Sequence, residues 1–185
     1  MDKQTFWKLI DSAREQAQSG SESGSGSESE EVSERAAELL AALPPAEIAE
    51  AQQVLWDLLS ESYRAPLWAA AYVINGGCSD DGFDYFRGWL LTQGQAAFEA
   101  ALADPDSLAA HPAVREAAAE GLELWDEDAL SIAWTAYESA TGGELPADSF
   151  TISYPALDPS WDFDFDDTAE TAARLPRLSA LFDYS

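Results

Sequence analysis

The densest group of chemically useful side chains in this sequence lies in residues 75–89, Asn-Gly-Gly-Cys-Ser-Asp-Asp-Gly-Phe-Asp-Tyr-Phe-Arg-Gly-Trp. Clustered carboxylates can hold a hard cation or act as a general base, and an arginine can clamp an anion. A turn and a helix start fall in the same run, so these groups are expected to lie close together. The candidate site residues are Asn75, Cys78, Asp80, Asp81, Asp84, Tyr85, Arg87 and Trp89.

The same run has a purely structural interpretation. Ser79 or Asp80 is well placed to cap a helix that starts near residue 80, where the helix dipole favours negative charge. Asp80, Asp84 and Arg87 lie on one helical face, where Arg87 can form a surface ion pair with Asp84 or Asp80. The run is therefore either a ligand site or a capped helix hairpin, and the sequence leaves both open.

Cys78 is a weak candidate for a nucleophile. A helix dipole would acidify its thiol, but Asp80 and Asp81 oppose a thiolate, and His111 lies in an unrelated Ala-His-Pro loop. A small buried cysteine is the favoured role. The Asp80 to Asp84 spacing matches no EF-hand loop, and with one His and one Cys a zinc site would need carboxylates. The sequence requires no cofactor, and the metal question stays open.

Helices must position these residues, because apolar residues recur at helical spacing along most of the chain. In the first helix Phe6, Leu9 and Ile10 are expected in the core, with Asp2 as a cap. Shorter helical pieces are expected near 114–120 and over 168–181, the latter interrupted at Pro176. The main predicted helices cover 2–18, 32–43, 46–63, 67–75, 80–93, 95–103 and 125–141.

Two segments lack a helical pattern. Residues 19–31 form a Ser/Gly/Glu tract that predicts a flexible loop tethering the first helix, because it cannot bury enough apolar surface to offset chain entropy. Residues 144–167 predict an irregular acidic and aromatic segment, in which 149–154 could form one short strand. Its end, residues 161–167, either packs Trp161, Phe163 and Phe165 on the body with the aspartates in water, or docks on a basic partner.

Length and composition predict one domain over residues 1–185. A chain of 185 residues with 46% hydrophobic residues and seven Trp is long enough for one well-buried core and short for two. Successive amphipathic helices need one another for burial. The fold class is therefore all-α or mostly α, a single-domain orthogonal helical bundle with an irregular acidic C-terminal segment.

The charge limits the classes of partner. A formal net charge of -26, with nine Lys and Arg against 35 Asp and Glu, repels phosphate backbones and anionic lipid head groups. We expect no direct nucleic-acid binding and no membrane binding, whereas a basic protein would be attracted. The single cysteine, the absence of a signal-peptide pattern and the absence of a long apolar run favour the cytoplasm.

Three blocks of the sequence resemble an uncharacterised bacterial family. The blocks are the Phe6-Trp7 pair with its helix, the long stretch from Leu67 to Leu91, and Ala103-Asp-Pro-Asp-Ser-Leu108. Over about residues 1–142 the chain resembles the family named domain of unknown function 4240. The resemblance implies a bacterial, cytoplasmic protein and carries over no activity or site residue. It also suggests that the serine-glycine tract is an insertion, because the family's spacer is more compact.

Two functions follow as expectations. The first is a non-enzymatic interaction or regulatory protein whose acidic surface binds a basic protein partner, a special case being a nucleic-acid mimic. The second is a small enzyme or a cation-dependent ligand-binding protein that uses the 75–89 helix hairpin, with Tyr85 or Trp89 as pocket wall. Whether the protein is an enzyme, which ligand it would take and its oligomeric state are left open by the sequence.

Overall fold

The fold is all-α, as predicted. The structure is a computed structural model that describes residues 1–20 and 27–182, and the described residues contain no β-strand. The ten α-helices of these residues are α1 (Lys3–Gly20), α2 (Glu28–Ala41), α3 (Pro45–Ser62), α4 (Ala65–Asn75), α5 (Asp80–Thr92), α6 (Gln95–Ala103), α7 (Pro112–Glu120), α8 (Asp128–Thr141), α9 (Thr168–Arg174) and α10 (Pro176–Leu181). Short 3-10 segments cover Pro105–Ala110 and Pro159–Trp161.

Local chemistry explains the helix ends. Ser27 caps α2 in a capping box, in which its hydroxyl accepts from the backbone N–H of Glu30 and the Glu30 carboxylate accepts from the N–H of Ser27. Ser79 caps α5 by accepting from the N–H of Gly82 at 3.1 Å. Gly76 ends α4 with φ of 63°, a left-handed conformation that only glycine adopts at no steric cost.

One hydrophobic core joins the helices. α8 packs against α2, α3 and α5, while α1 lies on α2, and α10 contacts the 3-10 segment at 105–110. Phe6, Ile10, Phe83 and Leu90 are fully buried, as their spacing predicted, and Leu9 is half-buried. Trp7 of α1 adds a contact with Phe98 of α6, with ring centroids 5.2 Å apart. The docking of α1 onto the body is therefore a core interaction.

Two details differ from the sequence prediction. α2 begins at Glu28, four residues before the predicted start, because the capping box at Ser27 extends the helix into a polar region that apolar spacing cannot mark. The predicted loop at 19–31 is thus helical at both ends, and its central residues 21–26 lie outside the described residues. The predicted strand at 149–154 is wrong, since no second strand exists among the described residues to pair with it.

The C-terminal part partly covers the bundle. Residues 143–158 contain neither helix nor strand, and their described side chains are mostly exposed. Trp161, Phe163 and Phe165 are half-buried, whereas Asp162, Asp164, Asp166 and Asp167 are exposed, which matches the packed interpretation of this segment. Among the described residues, none of the helices combines the length and apolar character needed to cross a membrane.

Candidate functional site

The turn between α4 and α5 holds the first predicted site residues. The indole N–H of Trp68 donates to the backbone oxygen of Cys78 at 3.0 Å and fixes the turn against α4. Burial raises the pKa of the Cys78 thiol to about 12, with Asp80 and Asp84 acting in the same direction and Arg87 opposing them. The thiol is therefore protonated at neutral pH, which fits the structural role predicted for it.

Asn75 serves a structural role. Its amide nitrogen donates to the backbone oxygen of Leu124 at 3.1 Å, and its amide oxygen accepts from the Leu124 N–H at 2.9 Å. The side chain thus pairs with one backbone unit of the loop between α7 and α8. A second bond, from the N–H of Asp126 to the Tyr85 backbone oxygen at 2.9 Å, ties the same loop to α5.

Arg87 is the largest correction to the predicted site. Its side chain is 0% exposed, so its pair with Asp84 is not a surface ion pair. Besides Asp84, the guanidinium donates to the backbone oxygens of Phe83 and Leu59. Asp84 itself keeps 29% of its side-chain surface exposed and links the buried cation to solvent. Helical spacing identified the pair but not its depth, which depends on the segments that cover α5.

Aromatic rings complete the surroundings of Arg87. The guanidinium carbon lies 4.7 Å from the Phe83 ring centroid, 5.2 Å from Tyr63 and 5.7 Å from Tyr154. The rings of Tyr63 and Tyr154 are 4.7 Å apart. Cation–π attraction adds to the ion pair in such a site. Arg87 is thus satisfied by the protein's own groups and stabilises a junction of α3, α5 and the C-terminal segment.

The remaining carboxylates of the run stay near the surface. Asp80 and Asp81 are exposed in the first turn of α5, where the helix dipole favours them. Among the described residues, no group of three or more His, Cys, Asp or Glu side chains has the geometry of a metal site. Trp89 is buried and packs on Phe86 and His111, with ring centroids 5.2 and 5.7 Å away.

Tyr85 belongs to a surface group of aromatic and acidic side chains that are far apart in the sequence. Its hydroxyl donates to Glu127 at 3.4 Å, and its ring lies 6.3 Å from that of Trp125, which is 53% exposed. The pKa of Tyr85 is raised by the charge of Glu127 first, with burial, Asp81 and Asp84 adding to it. We call Asp81, Asp84, Tyr85, Trp125 and Glu127 the acidic aromatic patch.

Trp125 and Glu127 were missed because they lie 40 residues beyond Tyr85, on another loop. The Asn75 side chain and the Asp126 N–H bring that loop to α5. The available signal was a tryptophan inside the acidic run Glu123-Leu-Trp-Asp-Glu127, at the edge of the predicted helix 125–141, whereas α8 begins only at Asp128. A sequence can suggest that such a residue is exposed, but it cannot show which α5 side chain it meets.

Asp126 is a buried carboxyl group within the same loop. It accepts from the Ser33 hydroxyl at 2.9 Å and from the N–H of Ala129 at 3.0 Å, where it caps the start of α8. Burial raises its pKa from 3.8 to about 6, and the bonds from Ser33 and Ala129 oppose that rise only in part. The Asp126 side chain therefore joins α2 to the start of α8, and its backbone N–H ties the same residue to Tyr85 of α5.

A wide cavity of about 810 Å³ lies between α4 and the C-terminal helices. Its lining includes Tyr72, Gly76, Phe165, Thr171 and Ser179, and none of the eight predicted site residues is among the described lining. The Tyr72 hydroxyl donates to Asp166 at 2.7 Å across its rim. The 75–89 run contributes only Gly76 to this lining, opposite Phe165 of the C-terminal segment.

Comparisons with known proteins complete the description. No curated protein and no solved structure matches the chain. A family model matches residues 1–139, which include α1 to α7, most of α8 and every residue of the acidic aromatic patch. The description of this family is "Protein of unknown function (DUF4240)", and it is the same family that the sequence was found to resemble. The chain therefore belongs to the family named DUF4240.

Proposed function

We propose that this protein is a non-enzymatic interaction or regulatory protein, whose acidic surface binds a basic protein partner. The acidic aromatic patch is the observation that carries the proposal. Trp125 keeps 53% of its surface exposed beside Tyr85, and the charges of Glu127, Asp81 and Asp84 act on the Tyr85 hydroxyl. An arginine or lysine of a partner would stack on the indole and pair with Asp81 or Glu127. A neutral partner would gain only the first contact.

The charge distribution supports this assignment. In the described part of the chain, five of the nine basic side chains already pair with carboxylates of the same protein, among them Arg87, Arg174 and Arg177. The surface therefore retains a large excess of unmatched negative charge. Such a field accelerates association with a basic protein and selects against acidic ones.

The site chemistry supports a binding role over the enzyme alternative. Both polar atoms of the Asn75 amide bond to the backbone of Leu124. The Arg87 side chain is buried, and the Cys78 thiol is protonated at neutral pH. Asn75 positions the loop that carries Trp125, and Arg87 joins α3 to α5. A thermal-shift screen with divalent cations and metabolites tests the alternative, since a ligand of the native state raises the melting temperature. Stabilisation that disappears in Asp84→Ala would favour the ligand-binding protein.

Affinity capture with matched variants tests the proposed function. We expect the wild-type chain to retain a defined basic protein from bacterial lysate at low salt and to release it at high salt. Trp125→Ala with Glu127→Gln should lose that protein. The control Glu138→Gln changes charge equally on an exposed position of α8 and should retain it. Equal capture by the patch variant, or no capture beyond a blank resin, would contradict the proposal.

A further inference from the structure

A segment that follows α8 lies in an aromatic groove above the Arg87 site. We call residues 149–158 the strap, and we call Gln53, Trp56, Tyr63 and Trp134 the strap groove, with Gln52 and Arg87 beneath it. The strap has no helix or strand, and most of its side chains are exposed. Its contacts with the groove include a hydrogen bond that the Thr151 hydroxyl donates to the Gln53 amide oxygen at 3.3 Å, and two further kinds of contact.

The first kind of contact is with the strap backbone. The Gln53 amide nitrogen donates to the Thr151 backbone oxygen at 3.2 Å, and the Gln53 amide oxygen accepts from the Thr151 N–H at 2.8 Å. One side chain thus pairs with both polar groups of one residue, as a neighbouring strand would. Backbone pairing of this kind holds any extended peptide and is independent of its side chains.

The second kind of contact is aromatic. Phe150 lies nearly parallel to Trp56 at 6.4 Å and edge-on to Trp134 at 6.0 Å. The buried Gln52 holds this slot open, because its amide oxygen accepts from both indoles, Trp56 at 2.9 Å and Trp134 at 3.3 Å. Four positions later, Tyr154 packs on Tyr63 at 4.7 Å, above the Arg87 guanidinium.

The strap fills this groove incompletely. Tyr154 remains 43% exposed and Ile152 49% exposed. An open cleft of about 570 Å³ lies beside residues 155–158, between the strap, the end of α3 and the start of α4, with Tyr63, Arg64 and Leu157 in its lining. The helices thus form two aromatic slots, while much of the strap in them stays exposed to solvent.

The groove lies within the part of the chain that the family model matches and the strap lies outside it, and the two also differ in charge. All groove residues lie within the stretch that the family model matches, residues 1–139, whereas the strap lies beyond it. Asp148 precedes the strap, Asp158 is its last residue, and the stretch 144–162 contains no basic residue. In a chain of net charge -26 the rest of the protein repels such a segment and would favour a neutral or basic one.

We propose that the strap groove is a binding site for an extended peptide of a partner protein, with two aromatic residues four positions apart, and that the strap occupies it as an internal stand-in. The Gln53 amide binds the peptide backbone, and the two aromatic slots select the side chains. The strap must leave before the peptide binds, so the free groove population sets the apparent affinity. This site is separate from the acidic aromatic patch and does not depend on it.

A labelled peptide tests the proposal on the full-length chain. The probe is fluorescein-labelled Ser-Phe-Thr-Ile-Ser-Tyr-Pro-Ala-Leu, the sequence of residues 149–157, with a lysine added at each end. Phe150→Ala with Tyr154→Ala empties both slots of the strap. Fluorescence anisotropy should show the probe binding this variant at least about tenfold more tightly than wild type, because a tethered competitor has been removed.

Matched controls isolate the groove. Ile152→Ala with Ser153→Ala changes the strap equally outside the slots and should bind the probe as wild type does. Gln53→Ala added to the emptied strap should weaken binding severalfold, and a probe with alanine at both aromatic positions should not bind. Circular dichroism and a cooperative thermal transition establish that each variant is folded.

Three results would overturn the proposal. The first is a folded, emptied variant that binds the probe no better than wild type, and the second is equal binding of the alanine probe. The third is a wild-type dimer at high protein concentration that becomes a monomer when the strap is emptied. That result would make a second copy of this chain the occupant of the groove. We expect Trp125→Ala to leave probe binding unchanged. Failure of the proposed function of the acidic aromatic patch is therefore distinguishable from failure of the groove proposal.

Discussion

The Arg87 guanidinium is stabilised inside the core by one carboxylate together with backbone oxygens and aromatic rings. Asp84 neutralises it, backbone oxygens of Phe83 and Leu59 take other guanidinium protons, and three rings cover its faces. An isolated buried cation would be too costly to keep, so each partner is needed. The arrangement joins α3 and α5 to the strap through a single side chain.

Removal of the Asp84 carboxylate should therefore be costly. Breaking a buried pair leaves an uncompensated charge at a typical cost of about 3–5 kcal/mol, and we expect Asp84→Ala near the lower limit because water reaches this carboxylate. Asp81→Ala is the matched control, since that exposed residue loses only its helix-dipole interaction, under about 1 kcal/mol. Urea unfolding compares the two. Equal losses of unfolding free energy in the two variants would mean that the backbone carbonyls and aromatic rings stabilise the Arg87 cation without Asp84.

Asp126 predicts a pH dependence of stability. Burial raises its pKa in the folded protein to about 6, so the unfolded chain loses this proton first as pH rises. Stability from this group is thus greatest in acid and is lost as pH rises through about 6. Asp126→Asn keeps the shape and removes the titration.

The measurement is the free energy of unfolding in urea for wild type and Asp126→Asn from pH 4.5 to pH 7.5, above the pI of 4.1. Between these limits wild type should lose about 2 kcal/mol relative to the variant, from 1.4 kcal/mol per pKa unit. The difference between the two proteins cancels the titration of the other carboxylates. A difference that stays constant with pH would show that Asp126 ionises normally.

At the scale of elements, the crossing of α5 and the start of α8 depends on a glycine. A Cβ atom on Gly88 would lie 2.3 Å from the backbone oxygen of Asp126 and 3.2 Å from the Ala129 Cβ. The loop carrying Trp125 approaches α5 this closely because Asn75 and the Asp126 N–H hold it there. The acidic aromatic patch therefore depends on the absence of a side chain at Gly88, about one helical turn from Tyr85 in α5.

Gly88→Ala should destabilise the fold by at least about 2 kcal/mol, because overpacking outweighs the gain in helix propensity of about 1 kcal/mol. It should also separate Tyr85 from Trp125 and change the Trp fluorescence. Gly82→Ala is the control in the same helix, where the nearest contact is the Ser79 hydroxyl at 3.3 Å. We expect that control to change stability by less than about 1 kcal/mol. A stabilised Gly88→Ala would refute the close crossing.

For the whole molecule, net charge should oppose folding. At neutral pH a chain of charge -26 repels itself more in the compact state than when unfolded. Added salt screens these interactions over about 10 Å at 0.1 M. We expect the melting temperature to rise by several degrees from low to moderate sodium chloride. A fall would mean that the ion pairs of Lys3, Arg35 and Arg177 outweigh the repulsion.

The sequence by itself determined the fold class, most helix positions and the family, because apolar spacing and helix caps are local properties. Helix α6 has the predicted bounds of 95–103, and the break at Pro176 separates α9 from α10 as expected. Spacing in one helix also allowed Arg87 to pair with Asp84 or Asp80, and the structure contains the pair with Asp84. The acidic surface follows from composition alone.

Only the tertiary structure decided how deep each side chain lies and which distant residues meet it. Burial of Arg87 and Asp126 results from segments far along the chain, and no local pattern encodes it. The meeting of Tyr85 with Trp125 depends on the Asn75 bond to Leu124, and that of Phe150 with Trp56 on the course of the strap. Such contacts join residues separated by 40 or more positions, and their geometry is fixed by the packing of the whole bundle.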